Sequence, residues 1–193
     1  MSVARFSRSL LFIWLSLIAL PLVAREADTY RQLGTAVSGP EVALEDTDLA
    51  PTGKVPEGQG SVTEGERLYA SQCQHCHGAK GLGGLHEPLA LTPEQRSADA
   101  NRPAFALDVR RPRVIGNYWP YATTLYDYIR RAMPQANPGS LSNDEAYSLT
   151  AYVLFLNALV QRDTRVDGVF LQNLVMPARE HFDYSVESQL LFR

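Results

Sequence analysis

Apolar residues recur at helical spacing along three stretches of the chain. In the first stretch, Leu68 and Tyr69 follow Thr63 and Glu66, which together form a T-x-x-E sequence typical of a capped helix start. The glycine-rich run "GAKGLGG" at 78–84 then interrupts the pattern. The spacing therefore predicts a helix that begins near Thr63 and ends just before this run.

The second stretch is "PYATTLYDYIRRAMP" at 120–134, and it predicts another helix. Its apolar positions fall on one face by steps of four residues: Leu125, Ile129 and Met133. Thr123 or Thr124 is expected to cap its start, because a threonine hydroxyl can accept a hydrogen bond from the first turn. Pro134 is expected to end it, since proline has no N–H to donate.

The third and longest stretch covers 143–159, after a second capping box formed by Ser142 and Glu145. Its apolar stripe consists of Leu149, Val153, Leu156, Leu159 and Val160. A further short helix is expected near 169–175. No segment has the alternation of a strand, so we predict an all-α fold with few helices.

The segments between these helices are long and rich in glycine and proline. Residues 25–62 are interpreted as an extended arm, with a disordered linker as the alternative, and residues 85–120 are loop-like. Long irregular loops are uncommon in a small domain unless something other than helix packing organises them. A large buried ligand would do so.

The N-terminus has a separate pattern. Arg5 and Arg8 precede a mostly apolar run at 10–24, which ends in small Ala24 and is typical of a secretory signal peptide. The run of about 15 residues is shorter than the roughly 20 needed to span a bilayer. We expect export to the periplasm, with an uncleaved anchor as the alternative. The expected organisation is a signal peptide at 1–24, the arm at 25–62, a helical domain at 63–162 and a C-terminal tail at 163–193.

Composition restricts the function only slightly. The 193 residues carry a formal net charge of -3, which argues against nucleic acid as a partner. Hydrophobic residues make up 45% of the chain, as in an ordinary packed core.

The chain's two cysteines lie in "CQHCH", where Cys73 and Cys76 are followed directly by His77. A zinc site needs four ligands, and the other histidines have no paired spacing. A thioredoxin-like dithiol would precede a helix beside a βαβ unit, whereas this pair follows a helix. In the remaining interpretation, two thiols join the vinyl groups of one porphyrin and the imidazole lies under its iron. We therefore expect one covalent haem c. His75 is expected to be exposed and to take no part in binding it.

The haem iron needs a ligand opposite His77. Met133 is the favoured candidate because it ends a helix just before a loop and a capped terminal helix; a plain core role is the alternative. The other candidates are Met176, His86 and His181. A thioether raises the reduction potential, and a filled coordination sphere favours electron transfer over catalysis. The carbonyl of Pro88 is the candidate acceptor for the other N–H of His77, although Pro88 is also explained as a loop breaker.

At this point the chain resembles a class I cytochrome c. "GERLYASQCQHCHGAKGLGG" is similar to the first helix, binding motif and glycine loop of that fold, and "MPQANPGSLSNDEAYSLTAYVLFLN" to its methionine loop and terminal helix. The resemblance implies that the first and last helices cross. Gly65, Tyr69 and Tyr152 would lie at the contact.

A narrower resemblance links the chain to the cytochrome subunit of bacterial periplasmic sulfite and sulfane dehydrogenases. It rests on "GNYWPYATTLYDYIRRAMP" and on the lead-in "LAPTGKVPEGQGSVTEGERLY". After the last helix, that family commonly continues with Met-Pro-Asn-Arg-Asp-Gly-Phe, where this chain has "MPAREHF". The resemblance implies two partners: a molybdopterin dehydrogenase subunit and a downstream cytochrome or oxidase.

The resemblance also suggests a task for "GNYWPY". Gly116 would let the backbone approach the ring, while Tyr118 and Trp119 would pack at the haem edge and bond propionates. Arg130 or Arg131 would neutralise a propionate or meet a partner. The alternative is an aromatic surface loop with solvated arginines.

Three functions remain open from the sequence. The first is an electron-transfer subunit that receives single electrons from a dehydrogenase of reduced sulfur compounds. The second is a free periplasmic shuttle without a dedicated dehydrogenase. The third, a catalytic haem protein, would require an open distal position.

Overall fold

The computed structural model describes residues 53–99 and 108–182, all within one unit of the chain, Asp48–Arg193. The expected signal peptide, most of the expected arm and the end of the tail lie outside the described residues. Within the part that is described, no helix combines the length and the apolar character that a membrane crossing requires.

The described elements are mainly helical. In chain order they are β1 (Gln59–Ser61), α1 (Val62–Gln72), α2 (Gln74–His77), a 3₁₀ turn (Ala79–Gly81), α3 (Pro93–Asp99), α4 (Ile115–Tyr118), α5 (Ala122–Ala132), α6 (Asn143–Leu156), β2 (Arg165–Asp167), α7 (Gly168–Asn173) and a second 3₁₀ turn (Pro177–His181). The predicted helices correspond to α1, α5, α6 and α7. The region 85–120, expected to be loop-like, also contains the two short helices α3 and α4.

Helices α1 and α6 cross in direct backbone contact. A Cβ built on Gly65 would overlap the carbonyl oxygen of Ser148 and would lie 2.8 Å from the Cβ of Tyr152. Beside this contact, the ring centroids of Tyr69 and Tyr152 are 5.2 Å apart. The expected crossing, with a glycine and two aromatic residues, is confirmed.

Helix α6 lies at the centre of the core. Its buried residues are Ala146, Tyr147, Ser148, Leu149, Thr150, Ala151, Tyr152, Val153 and Leu154. A helix that is buried all round is an internal one, and here α1, α5 and β1 pack against it. Leu125 and Ile129 of α5 are buried against this core, as predicted from their spacing.

The predicted all-α fold class is confirmed by the mainly helical structure, which also contains a pair of short strands that the sequence did not predict. β1 pairs antiparallel with β2, and Gly60 lies opposite Val166 in the register. Gly60 rests on α6 so closely that an added Cβ would collide with the backbone of Ser148. Each strand has three residues, which is too short for an alternating pattern to be recognised in the sequence.

Two of the three predicted helix caps are wrong. Ser61, not Thr63, caps α1, and its hydroxyl accepts a hydrogen bond from the Glu64 N–H at 3.3 Å. The N-cap position of α5 is Tyr121, which makes no side-chain capping bond, whereas Thr123 and Thr124 lie inside the helix. The third predicted cap is confirmed.

That third cap begins α6. The Ser142 hydroxyl accepts from the Glu145 N–H at 3.3 Å, and the Glu145 carboxylate accepts from the Ser142 N–H at 2.9 Å. The Ser142 bonds lower the pKa of the Glu145 carboxyl. The reciprocal bonds satisfy donors that the helix start would otherwise leave unpaired.

The position of the α1 cap can be tested with two single substitutions. Ser61→Ala should reduce the free energy of unfolding by about 1 kcal/mol, the usual effect of removing an N-cap hydroxyl. Thr63→Ala, at an exposed position inside α1, should change it by less than about 0.5 kcal/mol. Urea unfolding followed by circular dichroism measures both. A larger loss for Thr63→Ala than for Ser61→Ala would contradict the assignment.

Candidate functional site

The Cys-x-x-Cys-His segment begins where α1 ends. Cys73 is the C-cap of α1, and its N–H donates to the Tyr69 carbonyl at 2.9 Å. The next turn, α2, carries Cys76 and His77, and the His77 N–H donates to the Cys73 carbonyl at 3.0 Å. The segment therefore follows the first core helix with no flexible linker between them.

Both thiols are free and half-buried. Burial raises the pKa of the Cys73 thiol to about 11, so this thiol is protonated at neutral pH. His75, between the two cysteines, is exposed as expected.

A glycine turn folds back onto this segment. Gly78 has a φ of +75° and leaves no room for a Cβ, which would collide with the Gly83 carbonyl. The Gly78 carbonyl accepts from the Tyr69 hydroxyl at 2.9 Å, and the His77 carbonyl accepts from the Gly83 N–H at 2.9 Å. The turn is thus fixed to both α1 and α2.

The His77 ring is oriented by a backbone carbonyl. Its Nδ1 lies 3.1 Å from the carbonyl oxygen of Glu87. Because a carbonyl can only accept, Nδ1 carries the proton and Nε2 keeps its lone pair for a metal ion. The expectation that Pro88 supplies this carbonyl is wrong by one residue.

Anchors on either side explain why Glu87 supplies the carbonyl. Before it, the His86 N–H donates to the Cys76 carbonyl at 3.0 Å. After it, the Leu89 and Ala90 N–H groups donate to the Gly81 carbonyl at 2.8 and 3.0 Å. These bonds fix the register in which the Glu87 carbonyl meets the ring.

The candidates for the position opposite His77 differ in burial. Met133 is half-buried at the C-cap of α5, where its N–H donates to the Ile129 carbonyl at 3.1 Å. Met176 is 0% exposed and belongs to the apolar core. His86 and His181 are exposed. Met133 is the candidate that is neither enclosed in the core nor turned to solvent.

Two of the three aromatic residues of "GNYWPY", Tyr118 and Trp119, pack against other rings. The Tyr118 ring lies 5.8 Å from that of Phe182, edge to face, and the Arg113 guanidinium lies 5.4 Å above it. The Trp119 ring lies 5.8 Å from that of Tyr128 in a similar arrangement. Both residues are half-buried, so part of each remains exposed to solvent.

Comparisons with known proteins agree with these features. The family model described as "Cytochrome C oxidase, cbb3-type, subunit III" matches residues 60–153. A chain in the crystal structure of the sulfane dehydrogenase SoxCD from Paracoccus pantotrophus is 32% identical in sequence. That alignment covers 83% of this chain and 77% of the other, with a TM-score of 0.63. The chain is a class I cytochrome c. A comparison with curated proteins found no match.

The cytochrome is an electron-transfer protein, and its family binds haem c. The donor set fits that group: two unpaired thiols three residues apart, an imidazole with a free Nε2, and a half-buried thioether. Among the described residues of the cytochrome, no group of three or more His, Cys, Asp or Glu side chains could hold a metal ion.

Two arginines of α5 differ in their partners. Arg131 forms a two-pronged ion pair with the buried carboxylate of Asp127, at 2.6 and 2.9 Å, and is therefore engaged within its own helix. The Nε of Arg130 is buried and has no hydrogen-bond partner among the described residues. Of the two arginines expected as alternatives for meeting an anionic group, Arg130 is the one with a buried, unsatisfied donor.

Sequence reasoning missed Asn157 altogether. Its side chain is buried and bonds to the backbone of residues 41 and 68 positions away, Gly116 and Leu89. No local pattern marks such a residue, because an asparagine after a helix is common as a simple cap. Sequence reasoning also missed Arg96, because no local pattern marks this residue either.

Proposed function

We propose that this cytochrome is exported to the periplasm and carries single electrons away from a dehydrogenase of reduced sulfur compounds. A molybdopterin subunit that oxidises sulfite or a sulfane group would be the donor. A downstream cytochrome or oxidase would be the acceptor. The observation that carries the proposal is the likeness to the SoxCD chain over 83% of this chain at 32% identity.

In this proposal, Cys73 and Cys76 attach one haem c. Each thiol would hold the porphyrin through a thioether bond to one vinyl group. Both thiols are free, so both are available for these bonds. Their separation by one turn, just before His77, would place the imidazole where it can bind the iron.

His77 and Met133 would be the axial ligands. The Glu87 carbonyl fixes the ring of His77 with its Nε2 free, and the C-cap of α5 places Met133 at the start of a loop. A bound haem c supplies a one-electron ferric–ferrous couple, which histidine–methionine ligation shifts to higher potential. With His77 and Met133 both bound to the iron, the protein would offer it no site for substrate.

Tyr118 and Trp119 would form the docking face for a redox partner. Tyrosine, tryptophan and arginine are enriched at the energetic centres of interfaces, and Arg113 and Arg179 stack on Tyr118 and Tyr121 in this region. Arg130 would pair with a haem propionate through its buried Nε. The expected role of Pro88 is reduced to shaping the loop beside Gly83.

The test is substrate-dependent reduction of the native protein. The full chain is tagged in its own host, recovered from the periplasm and examined for a co-purifying molybdopterin protein. Sulfite or thiosulfate should then reduce its haem within seconds in the copurified fraction, and the fraction depleted of the molybdopterin protein should not respond. A chain that elutes alone, and that no dehydrogenase of the host reduces, would be a free shuttle.

A further inference from the structure

Asn157 makes three hydrogen bonds from a buried position. It is the C-cap of α6 and is 4% exposed. Its Nδ2 donates to the carbonyls of Leu89 at 3.0 Å and Val153 at 2.9 Å, and its Oδ1 accepts from the Gly116 N–H at 3.0 Å. One amide therefore connects the end of the central helix to two separate loops.

The first of these loops orients His77. Leu89 comes two residues after Glu87, whose carbonyl receives the Nδ1–H of His77. The Leu89 carbonyl also accepts from the Ile115 N–H at 3.2 Å. The amide of Asn157 is thus linked to the His77 imidazole through the three residues of backbone at 87–89.

The second loop leads to the aromatic residues. Gly116 begins the turn that carries Tyr118 and Trp119, and a Cβ built on Gly116 would lie 2.8 Å from Oδ1 of Asn157. Glycine is required there because the amide and the backbone approach so closely. Two groups are proposed to contact the haem: the imidazole and the aromatic pair. The side chain of Asn157 therefore helps to position both of them.

Arg96 holds the first of these loops, the one that orients His77, at its other end. Its Nη1 donates to the Leu91 carbonyl at 2.7 Å and to the Leu156 carbonyl at 3.1 Å. Leu156 is the last residue of α6 and precedes Asn157. The loop 87–91 is therefore tied to the end of α6 at two points, and its position follows that of the core.

We propose that Asn157 is a positioning residue for the haem iron: it holds the Glu87 carbonyl against the His77 ring and so sets the reduction potential. This inference rests on the proposed function, because it needs His77 to be an axial ligand. The bond from Nδ1–H to the carbonyl makes Nε2 a stronger electron donor. A stronger donor favours ferric iron, so weakening the bond should raise the potential.

Asparagine suits position 157 better than other residues of similar size, because these bonds need both a donor and an acceptor. Leucine would leave the Gly116 N–H without its acceptor and would remove the donor to the Leu89 carbonyl, and an unsatisfied buried donor is destabilising. Aspartate keeps the acceptor for Gly116, but it loses both donated bonds and brings a charge into a buried site.

The test compares Asn157→Ala and Asn157→Ser with Thr150→Val in the full haem-loaded chain. Thr150 is 0% exposed on the same helix, and its hydroxyl donates to the Ala146 carbonyl at 2.7 Å. Its replacement removes a buried hydrogen bond of similar strength without touching either loop. Optical redox titration gives the potential, and NMR gives the exchange rate of the His77 ring N–H with deuterium.

At the potential where the unmodified protein is half reduced, Asn157→Ala should increase the ferrous-to-ferric ratio by about threefold, as the partial loss of one hydrogen bond would. Its His77 N–H should exchange faster. Asn157→Ser should show a smaller change in the same direction, and it serves as the test variant if the alanine form does not fold. Thr150→Val should lose stability and keep its potential.

Three results would overturn the proposal. Asn157 variants that lose stability with unchanged potential and unchanged exchange would make Asn157 merely structural. An equal shift in Thr150→Val would attribute the effect to general loosening. A chain without covalent haem would overturn the proposed function as well, whereas the first two results leave that function standing.

Discussion

Replacing Met133 with alanine should lower the reduction potential by on the order of 0.2 V, because loss of the thioether removes the ligand that favours ferrous iron. The far-red charge-transfer band of methionine-ligated ferric haem should disappear, and the ferrous protein should acquire the ability to bind carbon monoxide. Met133 is half-buried at the end of α5, so the substitution should cost the core little. Optical spectra and a redox titration measure all three effects.

Met176→Leu is the matched control for this experiment. Met176 is 0% exposed and packs in the apolar core, so a volume-conserving replacement should cost less than about 1.5 kcal/mol. The band and the potential should be unchanged. The opposite pattern, with the band kept in Met133→Ala and lost in Met176→Leu, would transfer the ligand role to Met176.

Gly65→Ala should destabilise the protein by about 3 kcal/mol, at the upper end of what overpacking costs. Alanine is the better helix former by about 1 kcal/mol, so helix propensity alone predicts the opposite sign. The loss arises because the new Cβ would overlap the Ser148 carbonyl at the crossing of α1 and α6. Urea unfolding followed by circular dichroism measures the change.

Gly139→Ala separates this collision from the ordinary cost of replacing a glycine. Gly139 has a φ of +72° and has nothing within 4 Å of an added Cβ. Its replacement should cost about 1 kcal/mol, from the left-handed backbone alone. If Gly65→Ala costs no more than Gly139→Ala, then the close crossing of α1 and α6 does not contribute to stability as argued here.

Where sequence and structure agree, the signal is a long periodic pattern. α5 and α6 are predicted because apolar residues recur over three or more turns and because Ser142 and Glu145 form a reciprocal cap. The crossing at Gly65 follows from the resemblance and from the absence of a side chain at that position.

At the start of α1, the sequence contains two equally good candidates for the N-cap. Ser61 with Glu64 and Thr63 with Glu66 both match the capping-box pattern. The structure uses Ser61, because this residue also ends β1 and is paired with Arg165 of β2. Glu66 instead pairs with Arg162, at 2.8 Å. Contacts from the far end of the chain therefore decide the choice.

The residues of the candidate site also fall into two groups, those that the sequence predicts and those that it does not. The Cys-x-x-Cys-His motif and the methionine after α5 are visible in the sequence, since their chemistry depends on residue type and spacing. The choice of Glu87 over Pro88 depends on backbone bonds to Cys76 and Gly81. The role of Asn157 depends on partners 41 and 68 residues away. Interactions of that range leave no local pattern.

The proposed function depends on one haem held covalently by Cys73 and Cys76. The most direct test is the intact mass of the protein purified from its host's periplasm, followed by peptide mapping. We predict a mass increase of a single haem that survives acid extraction, located on the peptide that contains both cysteines and His77. The same peptide recovered with two thiols open to alkylation, and with no haem mass, would contradict the account.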